Sequence, residues 1–142
     1  MRGPNEVAIF VARRSRSEVL VVHRRPDLGG YWHTIAGGVE PGESSPDAAA
    51  RELREETGLD RRPISTGISF AYPLSEEPPE RRAQYPPGLE AVNVDTFIVD
   101  ADDDWEPVLD DEHDAYRWSS AAEAPDALFW DDIADALRRA LA

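Results

Sequence analysis

Short apolar runs broken by polar clusters mark the first part of the chain. EVAIFVARR (residues 6–14) and EVLVVHRR (18–25) have strand-like lengths and β-branched content, and the polar turn around Ser15 to Ser17 predicts a hairpin between them. After the loop PDLGG, the segment YWHTIAGGV (31–39) reads as one strand ending in a glycine loop. The period then changes to that of a helix. Ser45, Pro46 and Asp47 form a start signal with Ser45 as the cap, AAARELREET is rich in helix formers, and Gly58 is a stop. Ala49, Ala50, Leu53 and Thr57 form the stripe expected to pack inward.

ISTGISFAY (64–72) and LEAVNVDTFIVD (89–100) read as further strands. Between them, residues 73–88 are too proline-rich for regular structure, and a loop of that length in a compact domain is functional or mobile. AYRWSS (115–120) reads as a last strand. From Asp126 to Leu141, the apolar residues Phe129, Ile133, Leu137 and Leu141 fall four apart and predict one amphipathic helix. Phe129 and Trp130 are expected to pack in the core or at its rim rather than to stack against bases. The order of elements, without internal repeats, predicts one α/β (α+β) domain over residues 1–142.

Composition narrows the function. The chain of 142 residues is one domain's worth, and no run approaches the apolar length of a membrane span. MRGPNEVAIF lacks the basic and apolar regions of a secretory leader, so a cytoplasmic protein is expected. With no cysteine, disulfides, thiol nucleophiles and cysteine zinc sites are excluded. A net charge of −14 argues against a nucleic acid polymer as partner, because phosphate backbones call for a broad basic face. A small anionic substrate is still admitted, because divalent cations and a few local arginines can neutralise it.

The densest chemistry lies in GGVEPGESSPDAAARELREETGL (37–59). Glu52, Glu55 and Glu56 are spaced i, i+3, i+4 and so share one helix face, where like charges repel unless a cation is present. A solvated acidic face is the bland alternative. Against it stand the flanking glycines, whose exposed backbone can approach a charged ligand, and Arg51 at a single set position. A hard dication such as Mg²⁺ takes oxygen ligands of this kind, and Mn²⁺ accepts the same set.

Written out, the pattern is glycine (Gly37), five residues, glutamate (Glu43), seven residues, Arg51-Glu52-Leu53, one residue, Glu55-Glu56, one residue, Gly58-Leu59. It resembles the signature of the Nudix hydrolases at every position. The resemblance implies a Nudix fold, a mixed β-sheet sandwiched between helices. RRPDLGGYWHTIAGGVEPGES, YPPGLEAVNVDTFIVD and DEHDAYRWSSAAEA further resemble the dihydroneopterin triphosphate or dATP pyrophosphohydrolase branch.

Carried over by position, the resemblance implies that Glu52, Glu55 and Glu56 bind metal and that Glu43 pairs with Arg51. It also implies that Glu112 reaches the metals from outside the helix and that the carbonyl of Ala36 is a further ligand. Many members carry Pro-Gly where this chain has Ile35-Ala36, a change that bears on loop flexibility more than on a backbone carbonyl. Arg24 corresponds to an arginine that contacts substrate phosphates, and the segment near Tyr85 is expected to line the substrate pocket. Glu55 or Glu112 is the expected acceptor of the attacking water's proton. The implied products are a monophosphate and pyrophosphate.

Other phosphoanhydrides handled by the superfamily, namely dinucleoside polyphosphates, oxidised nucleotides and nucleotide sugars, are the alternative substrates. A non-catalytic nucleotide-binding domain is the alternative class, although such domains usually lose box glutamates. Homodimers are common in the superfamily, and the sequence itself carries no reading of oligomeric state. His23, His33 and His113 are scattered singly without zinc spacing; His113 is expected to be exposed, and His23 and His33 to lie near the pocket.

Overall fold

A run in which every residue is apolar needs a packed layer on both of its faces. In the computed structural model, which describes residues 3–142, β1 (Asn5–Arg13) meets that need at the centre of a mixed sheet. Its backbone pairs in parallel with β6 (Ala91–Asp100), which pairs antiparallel with β5 (Ile64–Pro73). On the other side, β2 (Glu18–Arg24) joins β1 only through the end of the hairpin, at Ala12↔Val19 and Arg13↔Glu18. The hairpin turn passes through the left-handed region at Arg14, Ser15 and Arg16.

Below that short join the two strands diverge, and the segment expected as one strand is divided between them. β3 (Trp32–His33) pairs with β2, whereas β4 (Ile35–Gly38) pairs antiparallel with β1 from Ile9↔Ile35 to Glu6↔Gly38. Thr34 sits at the fork, buried, and its hydroxyl donates to the Ile9 carbonyl at 2.7 Å. A strand that must serve two separating neighbours cannot keep one register, so it breaks. β7 (His113–Ser120) completes the sheet along β2 and begins two residues earlier than AYRWSS predicts.

The period-two alternation sorts these strands into two cores. Val7, Ile9, Val11, Leu20, Val22, Phe97 and Val99 face α1 (Ser45–Thr57), which adds Ala48, Ala49 and Leu53. Ala8, Phe10, Val19, Val21, Val94 and Ile98 face α3 (Ala124–Ala127) and α4 (Asp131–Leu141), which adds Ile133 and Leu137. The sheet is therefore held between helices, as the resemblance implies. No helix among the described residues is long and apolar enough to cross a membrane.

Four further expectations change. The cap of α1 is Ser44, whose Oγ accepts from the Asp47 amide at 3.2 Å; Ser45 is already helical and donates to Asp95 instead. The inward stripe of α1 is Ala48, Ala49, Leu53, Glu56 and Thr57, so one of the three carboxylates is buried while Ala50 is only half-buried. The proline-rich segment contains a 3₁₀ turn at Leu74–Glu76 and the four-residue helix α2 (Pro79–Arg82), in which prolines occupy first-turn positions that need no amide donor. Finally, the last helix is interrupted. Leu128 is extended and buried, and the Phe129 amide donates to the Trp32 carbonyl at 3.1 Å, a tertiary bond that outweighs continuation of the helix.

Candidate metal and phosphate site

Helix α1 lies against β4 because Leu53 and the small residues Ala48 and Ala49 pack on the sheet, and this seats the Glu52 carboxylate directly over Gly37. A Cβ at residue 37 would fall 2.5 Å from Glu52 Oε2, with Cδ and Oε1 nearer still. Glycine is thus required there by contact, not by an unusual backbone angle. Arg51 fastens the same corner. Its guanidinium donates to both oxygens of Glu43 at 2.8 and 3.0 Å, to the Gly38 carbonyl at 2.9 Å, to Glu52 Oε1 at 2.9 Å and to Glu55 Oε2 at 3.2 Å. The planar fork makes this many simultaneous bonds possible, which an ammonium group could not match. Hydrogen bonds from Arg51 hold the Glu43 carboxyl below its usual range.

One helical turn on, Glu56 is 4% exposed and its Oε2 has no hydrogen-bond partner. Burial, then the neighbouring Glu52 charge, push its carboxyl well above the usual carboxylate range, and burial likewise raises Glu52. Such an uncompensated carboxylate is costly unless a cation accompanies it. His113 faces it. This side chain is buried, contrary to the exposure expected from sequence, because the β2–β7 register carries it under the sheet end opposite Arg24. Its Nδ1 lies 2.7 Å from Asp110 Oδ1 and its Nε2 lies 3.9 Å from Glu56 Oε1. Glu56, Asp110 and His113 each offer a ligand atom within 4.8 Å of the others. The crowded acids and the partnerless oxygen fit a divalent cation, whose charge is what this corner lacks.

Glu112 is exposed at the mouth of the site, and its Oε2 is 3.6 Å from Arg24 Nη1. Its carbonyl accepts from the Arg25 amide at 3.0 Å, so the backbone at the bulge between His23 and Arg24 sets both side chains next to each other. Glu55 is exposed and held by Arg51. Ala36 lies in β4 opposite Ala8, half-buried and one residue before Gly37. Tyr85 is placed elsewhere. It is buried with Leu74 and Val92, and its hydroxyl donates to Glu6 at 3.2 Å, so its ring is packing for the proline-rich segment rather than an open pocket wall. His23 pairs with Asp114 at 2.7 Å. A hollow lined by Arg13 to Arg16, Asp100, Ala101 and Asp103 lies at the opposite end of β1 and holds none of these carboxylates.

Asp110 and His113 are the partners of the glutamates that the residue spacing does not reveal. The doublet Glu112-His113 is the available signal in the sequence, since it sets a histidine beside the acid. His33 is largely buried, and its Nδ1 has no partner. Burial, then the charges of Arg24, His113 and Arg81, lower it from 6.5 to about 4, so it is neutral in the native protein at neutral pH. Between those values the unfolded chain binds the proton and the folded chain does not, so stability contributed by neutral His33 is lost as pH falls from about 6.5 to 4. Chemical denaturation of the wild type and of His33→Phe across that range should show a shallower decline in the variant. Parallel curves would show that His33 takes up its proton without cost.

The NUDIX domain family signature matches residues 3–140. An octanoyltransferase of Myxococcus xanthus is 35% identical over 136 residues, covering 96% of this chain and 36% of that protein, so the chain spans about a third of that relative's length. Dihydroneopterin triphosphate diphosphatase of Escherichia coli strain K12 is 28% identical over 134 residues, covering 87% of this chain and 82% of the other. The solved structure of the E. coli dihydroneopterin triphosphate pyrophosphohydrolase shares the fold, with a TM-score of 0.83 at 24% identity over 97% of this chain and 94% of that one.

Proposed function

The chain belongs to the NUDIX domain family, and we propose that it is a divalent-metal-dependent pyrophosphohydrolase. The substrate class is a nucleoside triphosphate or a similar compound such as dATP or dihydroneopterin triphosphate, and the products are a monophosphate and pyrophosphate. The observation that carries the reading is the buried Glu56 oxygen without a partner, beside Glu52 and His113 and within reach of the Arg24–Glu112 pair.

Glu52, Glu55, Glu56, Glu112 and the Ala36 carbonyl are the groups that would hold Mg²⁺ or Mn²⁺. The bound ion supplies neutralisation of phosphate charge and a more acidic water. The chain does the rest. Arg51 and Gly37 keep Glu52 in place beside the buried Glu56. Arg24, tethered to Leu28 and Glu112, offers guanidinium donors to a phosphate oxygen. Water attacks phosphorus as the bridging P–O bond breaks, and the water's proton passes to Glu112 or Glu55, the two carboxylates that remain exposed. Pyrophosphate leaves with the bridging oxygen.

Purified protein with Mg²⁺ should release pyrophosphate from dNTPs or dihydroneopterin triphosphate, with the monophosphate identified alongside. Turnover confined to dinucleoside polyphosphates, oxidised nucleotides or nucleotide sugars would move the substrate class, and binding without turnover would make this a binding domain. Within the same assay, Glu112→Gln should lower kcat far more than Asp102→Asn in the turn after β6, whose carboxylate pairs with Arg61. Equal, small effects would return Glu112 to the solvated surface.

A further inference from the structure

Where α3 gives way to α4, two consecutive aromatic residues stand in solvent: Phe129 is 61% exposed and Trp130 is 43% exposed. Large apolar side chains that share one exposed site mark a binding surface more often than a packing accident. They do not stand alone. The ring of Tyr31 lies 5.4 Å from that of Phe129 with the planes 33° apart, and 5.9 Å from Trp130 with the planes 79° apart. Phe129 and Trp130 themselves meet at 85°. Two rings are thus roughly parallel, and the third stands across them, forming a corner.

This corner is built rather than loose. The Phe129 amide is bonded to the Trp32 carbonyl, which fixes the extended link to β3. Gly29, at φ +119°, has Tyr31 so close that a Cβ there would meet its ring at 2.7 Å, so the loop is cut to let the ring settle. Arg24 connects the corner to the carboxylates. Its guanidinium carbon is 5.9 Å from the centre of the Tyr31 ring, and its Nη1 is 3.6 Å from Glu112. One arginine therefore spans from the phosphate end of the site to its aromatic end.

We propose that Tyr31, Phe129 and Trp130 form the recognition site for the planar heterocycle of the substrate, whose phosphates lie toward Arg24 and Glu112. The proposal rests on the pyrophosphohydrolase reading for the identity of the ligand. A flat ring laid on the face of one aromatic and edged by the perpendicular one gains stacking area at low entropic cost, because the rings are already in position.

The test is calorimetric binding, in Mg²⁺, of a deoxyadenosine triphosphate analogue with methylene groups in place of both bridging oxygens, with inorganic tripolyphosphate as the ligand that lacks a ring. Phe129→Ala and Trp130→Ala should each weaken the nucleotide analogue about tenfold, the range expected for loss of one stacked aromatic, while tripolyphosphate changes less than about twofold. Phe129→Tyr should restore binding. Unchanged nucleotide affinity in the alanine variants overturns the proposal, as does equal weakening of both ligands, which would make the rings a support for Arg24. So does a wild-type dimer that Phe129→Ala converts to monomer with nucleotide affinity intact, since the rings would then be a contact between copies. Base-dependent binding in a protein that hydrolyses nothing would leave this site standing and remove the enzymatic reading. Turnover insensitive to the rings would do the reverse.

Discussion

Replacing Glu56 by glutamine is expected to lower kcat by about three orders of magnitude while raising the stability of the metal-free protein. The activity loss follows from removing one charged ligand where cations supply several kcal/mol of transition-state stabilisation, with each 1.36 kcal/mol worth a factor of ten. The gain in stability follows from the same burial. With the carboxyl raised above its unfolded value, the native state holds the proton more tightly, so stability is fully present below the unfolded pKa of about 4.5 and is lost as pH rises toward the folded value. Glutamine carries no charge to lose, so its denaturation curve in chelator should be flatter with rising pH. A variant that is inactive but no more stable than wild type at neutral pH would mean that Glu56 is paired in solution by something other than a cation. Retained activity would remove the metal assignment altogether.

Gly37→Ala is expected to cost nearly as much activity, at least about a hundredfold in kcat/KM, with little change in the folded state. The added methyl occupies the position of the Glu52 carboxylate, so Glu52 must swing aside and give up its 2.9 Å bond to Arg51. Displacement of an ordered carboxylate by an ångström is enough to spoil catalytic alignment by this factor. The checks are kcat/KM against Mg²⁺ concentration and a thermal melt. Weakened metal dependence with an intact melt supports the contact argument. Normal kinetics would show that Glu52 is free to move and that its site does not depend on this seat.

Much of this corner could be read from the residues in order. Helical spacing alone places Glu52, Glu55 and Glu56 on one face, and the run of apolar residues in 6–14 and 18–25 requires a doubly covered sheet. Burial was another matter. Whether Glu56 looks outward depends on what covers it, and its cover is Asp110 and His113, more than fifty residues away, delivered by the pairing of β7 with β2. No local pattern carries that register. Phe129 shows the same limit from the other direction. Its four-residue spacing from Ile133 fits a helix, yet one amide bond to the Trp32 carbonyl takes it out of the helix and into solvent. Ser44 and Ser45 differ for a simpler reason, since either could cap and only the partner Asp95 decides which one does not. Tyr85 is expected beside the pocket, whereas its ring is buried with Leu74 and Val92 and anchors the proline-rich segment, a contact that no local pattern carries.

The fork at Thr34 has a consequence for how such a molecule can diversify. The helix glutamates Glu52, Glu55 and Glu56 hang over the β1 and β4 branch, whereas Glu112 and the aromatic corner with its arginine hang from the β2 and β3 branch, the two meeting at the hairpin end and at the Thr34 hydroxyl. Mutations that reshape the preference for one ring over another can therefore accumulate around Tyr31, Phe129 and Trp130 without disturbing the helix glutamates on the sister branch, so descendants could exchange cargoes while keeping the same blade.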